Sequence, residues 1–143
     1  NPGSGDLQDL PLAGGGTVAS RLAERLAALS DGLEADDDGY TPLGAVTGAP
    51  LDLPWLRAAL PRSPLLVPGY GAQGAVAADV APAFDARGLG ALVNASRTLT
   101  YGEGFAEATT FEEVGALVRE RAEAMRRDLE AAVAARATAS AGG

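Results

Sequence analysis

The sequence predicts an α/β fold in which three parallel strands alternate with helices, and three observations carry that reading. Short apolar runs at 44–47, 65–67 and 90–94 are spaced by segments of helical periodicity rather than by hairpin turns. Each run is closed by glycine, proline or asparagine, the punctuation of a strand giving way to a loop. The most regular helical pattern comes last, after the third run. Alternation of this kind implies parallel strands joined by right-handed crossovers. Three strands cannot close a barrel and are few for a doubly wound sheet. The chain opens on Asn1, and its only methionine is Met125, so we expect a fragment or processed chain. Half of a (β/α)8 barrel is the most economical architecture.

Taken in order, residues 1–6 (NPGSGD) are turn chemistry, and the glycines at 14–16 end an irregular opening. Thr17 reads as the N-cap of a helix over 18–30, with Val18, Leu22, Leu26 and Leu29 on one stripe and Asp31 and Gly32 at its end. An acidic loop leads to the strand at 44–47. Asp52 and Pro54 mark the start of a helix over about 53–60, which the prolines at 61 and 64 terminate before the strand at 65–67. Residues 75–84 are helix-like, with Pro82 set to end or kink them, and 90–94 form the third strand. Thr110 and Glu113 make a capping box for the last helix. Its stripe runs through Val114, Leu117, Val118, Arg121, Met125, Leu129 and Val133, and Glu123 pairs with Arg127. Residues 1–136 form one structural unit, and the small, polar residues 137–143 are expected to be a disordered tail.

Composition removes most familiar chemistries. The 143 residues contain no cysteine, histidine or lysine, which excludes disulfides, thiolate or imidazole metal ligands, an imidazole base and a Schiff-base lysine. A net charge of −8, with every one of the cations an arginine, argues against a nonspecific grip on nucleic acid or anionic lipid. No apolar run approaches the roughly 18 to 20 residues that cross a bilayer, so a soluble, cytoplasmic protein is expected. The acidic stretch at 31–38 partly mimics a calcium loop, but Glu34 replaces the usual first aspartate and Ala45 stands where the bidentate glutamate belongs. It reads as a solvated loop. Tyr40 and Trp55 read as packing residues.

Two turns hold what chemistry remains. The motif PGYGAQG at 68–74 follows the second strand, and ASR at 95–97 follows the third. Backbone amides near Gly74, the Gln73 amide and the Arg97 guanidinium form a donor set suited to a phosphate held without a metal. In (β/α)8 barrels the phosphate site is frequently built from the loops after the last two strands. Other readings stand beside this one. Residues 69–74 fit G-x-G-x-x-G, but Asn94 sits where a dinucleotide site places a carboxylate, and Arg97 would favour a 2′-phosphate, which makes an NADP module an alternative. The glycine motif also fits a plain structural turn, and Arg97 a surface ion pair.

NPGSGDLQDL at 1–10, LLVPGYGAQG at 65–74 and GALVNASR at 90–97 together resemble the C-terminal half of orotidine-5′-phosphate decarboxylase in its longer bacterial subfamily. The resemblance spans about residues 1–101, and the last helix fits the final helix of that barrel. It implies a (β/α)8 lyase that dimerises, converts orotidine monophosphate to uridine monophosphate in pyrimidine biosynthesis, and uses no metal or organic cofactor. It also implies that Gln73 and Arg97 hold the substrate phosphate, with the backbone at Gly74 and Ser96 nearby and the loop at Pro68 and Gly69 over the substrate. The family's catalytic Asp-x-Lys-x-x-Asp motif has no counterpart in a chain without lysine, and the serine that contacts the pyrimidine would immediately precede Asn1. The expectation is therefore a phosphate-binding half with no catalytic residue of its own. It would be inactive alone and would need the missing N-terminal half. A noncatalytic phosphate-binding module and a structural or interaction half-barrel are the alternatives.

Overall fold

The computed structural model describes residues 4–48, 52–71 and 74–141. Its centre is a three-stranded parallel sheet in the order β1 (Ala45–Val46), β2 (Leu65–Pro68), β3 (Ala91–Asn94). The register places Ala45, Leu65 and Ala91 side by side, then Val46, Leu66 and Leu92, then Val67 with Val93 and Pro68 with Asn94. Because successive side chains alternate faces, one face carries Ala45, Leu65, Val67, Ala91 and Val93. That face packs on helices around a core of Leu53, Leu60, Leu65, Val67, Val80 and Ala83. Each of the buried leucines and valines contributes about 1.5–3 kcal/mol. The other face presents Val46, Leu66 and Leu92, which are 72%, 37% and 69% exposed.

The helices begin where their capping residues stand. In α2 (Val18–Asp31) the Ser20 amide donates to Thr17 Oγ1 (3.2 Å) and the Thr17 amide to Ser20 Oγ (2.8 Å), a reciprocal cap. In α3 (Leu53–Ala59) the Trp55 amide donates to Asp52 Oδ1 (3.1 Å), with Pro54 in the first turn. The long α6 (Phe111–Ala141) starts with the Glu113 amide on Thr110 Oγ1 (3.2 Å) and the Thr110 amide on Glu113 Oε2 (3.0 Å). Its expected Glu123–Arg127 pair is present at 4.0 Å.

Several elements differ from the sequence expectation. Residues read as opening turn chemistry include a single helical turn, α1 (Gly5–Gln8). The helix expected over 75–84 is only α4 (Ala77–Val80). Pro82 converts the rest to a 3-10 turn at Ala81–Ala83, and Phe84 is extended. A five-residue helix, α5 (Ser96–Thr100), follows β3 directly. The tail expected to be disordered from 137 is helical through Ala141, because alanine-rich sequence without glycine or proline lets α6 propagate. Trp55, read as a packing residue, is 41% exposed.

The ends of β2 and β3 at which the chain enters the sheet are tied by one buried cation. Arg57 in α3, only 8% exposed, donates to the carbonyls of Leu60, Ser63 (2.7 Å), Gly90 (3.0 Å) and Ala83 (3.3 Å). Its guanidinium also lies over the Tyr40 ring, 5.7 Å from the centroid. The Tyr40 hydroxyl donates to Asp85 Oδ2 (3.0 Å), and Asp85 in turn receives the Leu89 and Arg87 amides and Arg87 Nε. Gly90, at φ +84°, leaves room for that ring, since a Cβ there would lie 2.2 Å from Tyr40 Oη. In a neighbouring trio of buried hydroxyls, those of Thr41 and Ser63 each hydrogen-bond to that of Ser30.

Candidate functional site

At the opposite end of the sheet, Pro68 and Asn94 are register partners, so the two turns that follow β2 and β3 leave side by side. The first folds back on itself: the Gly74 amide donates to Gly71 O (2.8 Å) and the Gly71 amide to Ala75 O (2.8 Å). The two turns then touch. Thr98 Oγ1 donates to Tyr70 O (3.3 Å), and a Cβ on Gly71 would lie 2.5 Å from Thr98 Oγ1. Gly71, at φ +71°, is glycine for both reasons, backbone conformation and close approach.

Of the residues singled out from sequence, Pro68 and Gly69 lie at the mouth of the first turn, the former half-buried and the latter buried. Gly74 is exposed, but its own amide serves the turn rather than facing outward unpaired. Gln73 lies outside the described residues. On the second turn, the Ser96 amide (3.1 Å) and hydroxyl (2.8 Å) both donate to Asn94 Oδ1. Arg97 is exposed, and its guanidinium has no ion pair or hydrogen bond among the described residues. That removes the surface-ion-pair reading of Arg97 as far as those residues go, and leaves a free cationic fork beside the paired turns.

Sequence reasoning missed the side chains that hold these turns. The Tyr70 hydroxyl reaches Asp128 Oδ2 on α6 (2.5 Å), and burial first, with Asp128 second, pushes the phenol up to about 12. From the same helix Arg121 donates to the carbonyls of Thr98 (3.2 Å), Tyr101 and Glu103 (2.6 Å), and stacks over Phe105 at 4.6 Å. The one legible signal was a cation, Arg121, on an otherwise apolar helical stripe. The acidic loop is exposed as expected, with Asp36 Oδ1 accepting from the Asp38 and Tyr40 amides. No group of three or more acidic residues suited to a metal occurs among the described residues.

Among the described residues, neither β1 nor β3 has a further strand on its outer side. Beside β1, a groove of about 690 Å³ runs between α2 and α3, walled by Leu22, Leu26, Val46 and Trp55. Also lining it is Thr47, whose buried hydroxyl has no hydrogen-bond partner among the described residues. On the far side, a groove of about 610 Å³ lies between α6 and the 84–88 segment, walled by Phe84, Leu99, Met125 and Leu129. No helix among the described residues is long and apolar enough to cross a membrane.

No protein-family model matches the chain. An orotidine 5′-phosphate decarboxylase of Rhodopirellula baltica is 50% identical over 103 residues, which is 71% of this chain and 33% of that protein. One from Deinococcus radiodurans is 44% identical over 135 residues, 93% of this chain and 44% of that protein. The solved structure of Leishmania donovani OMP decarboxylase superposes with a TM-score of 0.60 at 30% identity, covering 90% of this chain and 45% of that one. The chain therefore spans between a third and a half of the length of these relatives.

Proposed function

Because the chain is a partial orotidine 5′-phosphate decarboxylase-like region, with the α/β architecture of part of that (β/α)8 barrel, we propose that it supplies the phosphate-gripping half of such an enzyme. The substrate is orotidine monophosphate and the product uridine monophosphate. The observation that carries this reading is the contact between the turns after β2 and β3, at Thr98, Tyr70 and Gly71, with Arg97 on the second turn unpaired among the described residues.

In this reading Arg97 takes two phosphate oxygens through its planar fork, Gln73 donates its amide beside it, and the backbone at Gly74 and Ser96 lies near the phosphate. Pro68 and Gly69 lie over the nucleotide. The phosphate is remote from the carbon that loses carbon dioxide, so its binding acts by holding the loops closed and the reacting group out of water. No group in this chain can protonate the carbanion as a lysine would, since the sequence has none. The acid and its flanking carboxylates come from an N-terminal half that pairs with the open edge of β1 and covers Val46, Leu66 and Leu92. The complete enzyme is a cytoplasmic homodimer.

Two measurements test this. In the full-length decarboxylase carrying this region, Arg97→Ala should lower kcat/KM by about 100-fold or more, the scale for removing one donor that stabilises transition-state charge. An unchanged value would remove Arg97 from the site. The 143-residue chain alone should show no decarboxylation, and measurable turnover would overturn the division of labour.

A further inference from the structure

Three hydrogen bonds and one helix close a ring around the two turns. Tyr70 donates through its hydroxyl to Asp128 (2.5 Å), Arg121 donates to Thr98 O (3.2 Å), and Thr98 Oγ1 donates back to Tyr70 O (3.3 Å). The fourth side is α6 itself, which carries both Arg121 and Asp128. Those residues are seven apart, two helical turns, and so share one face of a rigid element. Arg121 has further purchase on the second turn through the carbonyls of Tyr101 and Glu103 and the Phe105 ring.

The two turns lie at the ends of different strands, and among the described residues the hydrogen bond that links them is a single hydroxyl bond beside a glycine. One such bond is modest on its own, about 0.5–1.5 kcal/mol. A second connection through a helix makes the spacing between the turns a property of α6 as well. We infer that Tyr70, Asp128 and Arg121 are positioning residues: by clamping both turns to one face of α6, they couple the turns and preset the gap in which a phosphate ester is held. The coupling is a statement about the fold, while the phosphate rests on the function proposed above. A phenol pushed up to about 12 remains a donor throughout the physiological range, so the clamp on the first turn does not open with pH there.

The test is hydrogen–deuterium exchange on the full-length protein that carries this chain, comparing wild type with Tyr70→Phe, Asp128→Ala and Asp128→Asn. Neither position lies on the second turn, and alanine on an exposed helix position leaves α6 intact. We expect about ten-fold faster exchange over residues 95–104 as well as 69–71 in Tyr70→Phe and Asp128→Ala. Asp128→Asn keeps an acceptor oxygen and should stay near wild type, with the middle of α2 unchanged throughout. Acceleration confined to the first turn, or none, overturns the coupling. Uridine 5′-monophosphate affinity, measured on the same proteins, should fall by about five- to ten-fold in the two loosened variants. If exchange shows coupling and affinity does not change, the presetting role is overturned. If wild type binds no uridine monophosphate, the proposed function falls, and the exchange data still decide the coupling.

Discussion

The two ends of the parallel sheet are built to opposite specifications. Where the chain enters β2 and β3, a buried arginine fills its donors with backbone carbonyls from Leu60, Ser63, Ala83 and Gly90, and tyrosine, aspartate and a second arginine extend the network. Where the chain leaves those strands, the corresponding arginine, Arg97, stands exposed with no partner among the described residues, on a turn beside a glycine-rich loop. The same side chain is a bolt at one end and an unfilled fork at the other. What differs is the supply of acceptors: loops that turn their carbonyls inward consume a guanidinium, and turns that bond within themselves leave it for something that arrives.

That contrast can be broken first at Arg57. Arg57→Ala takes a donor from four carbonyls, of which those of Leu60 and Gly90 keep the Ser63 and Leu65 amides, and should destabilise the protein by about 2–3 kcal/mol. Urea denaturation should show this, whereas Arg97→Ala should leave the midpoint within about 0.5 kcal/mol of wild type. Equal losses would mean the two ends are not distinct. Next come the glycines. Gly90→Ala and Gly71→Ala carry the same positive-φ penalty, about 1–2 kcal/mol. They differ in what the new methyl meets: at 90 it is the hydroxyl of Tyr40 at 2.2 Å and its ring at 2.5 Å, held by Asp85 and Arg57; at 71 it is the short side chain of Thr98 at 2.5 Å. Thermal melts should therefore rank Gly90→Ala as the more damaging. Gly71→Ala should instead show its larger effect in nucleotide affinity.

The smallest expected effect is a pH dependence confined to the bolted end. Burial alone would raise the Asp85 carboxyl, but the Leu89 amide, the Tyr40 hydroxyl and Arg87 together hold it below its ordinary value. A lowered folded-state pKa means the unfolded chain binds the proton more readily. The stabilisation is thus complete above the ordinary carboxylate range and is lost as pH falls through the folded value. Stability measured from pH 5 downward should fall less steeply in Asp85→Asn than in wild type, and parallel curves would dismiss the network as an electrostatic contributor.

Much of the fold was legible because its signals are local. Thr17, Asp52 and Thr110 cap helices within three residues of themselves, and the runs at 65–67 and 90–94 contain β2 and β3 almost to the residue. The short α1 and α5 have too few residues for a periodicity to register. At the site, the motif positions Gly74, Ser96 and Arg97 were legible as a group, and the structure puts their turns in contact. What holds the turns was not: Tyr70 and Asp128 are 58 residues apart, and nothing in either one's neighbourhood announces the other. Arg57 was equally silent. An arginine on an amphipathic helix normally belongs to the solvated side, and only the crowding of loops from three places turns it inward.

The parallel order of the sheet has a consequence for counting. Its two edges are different surfaces, β1 on one side and β3 on the other, so copies of this chain could extend it as one continuous parallel sheet only head to tail. Each addition contributes three strands, and three does not divide the eight of a closed (β/α)8 cylinder. Repetition of this unit therefore overshoots or falls short of that circumference, leaving either a different ring or an open-ended stack. For the three strands of the described residues, only a partner with a different number of strands can bring such a cylinder to closure.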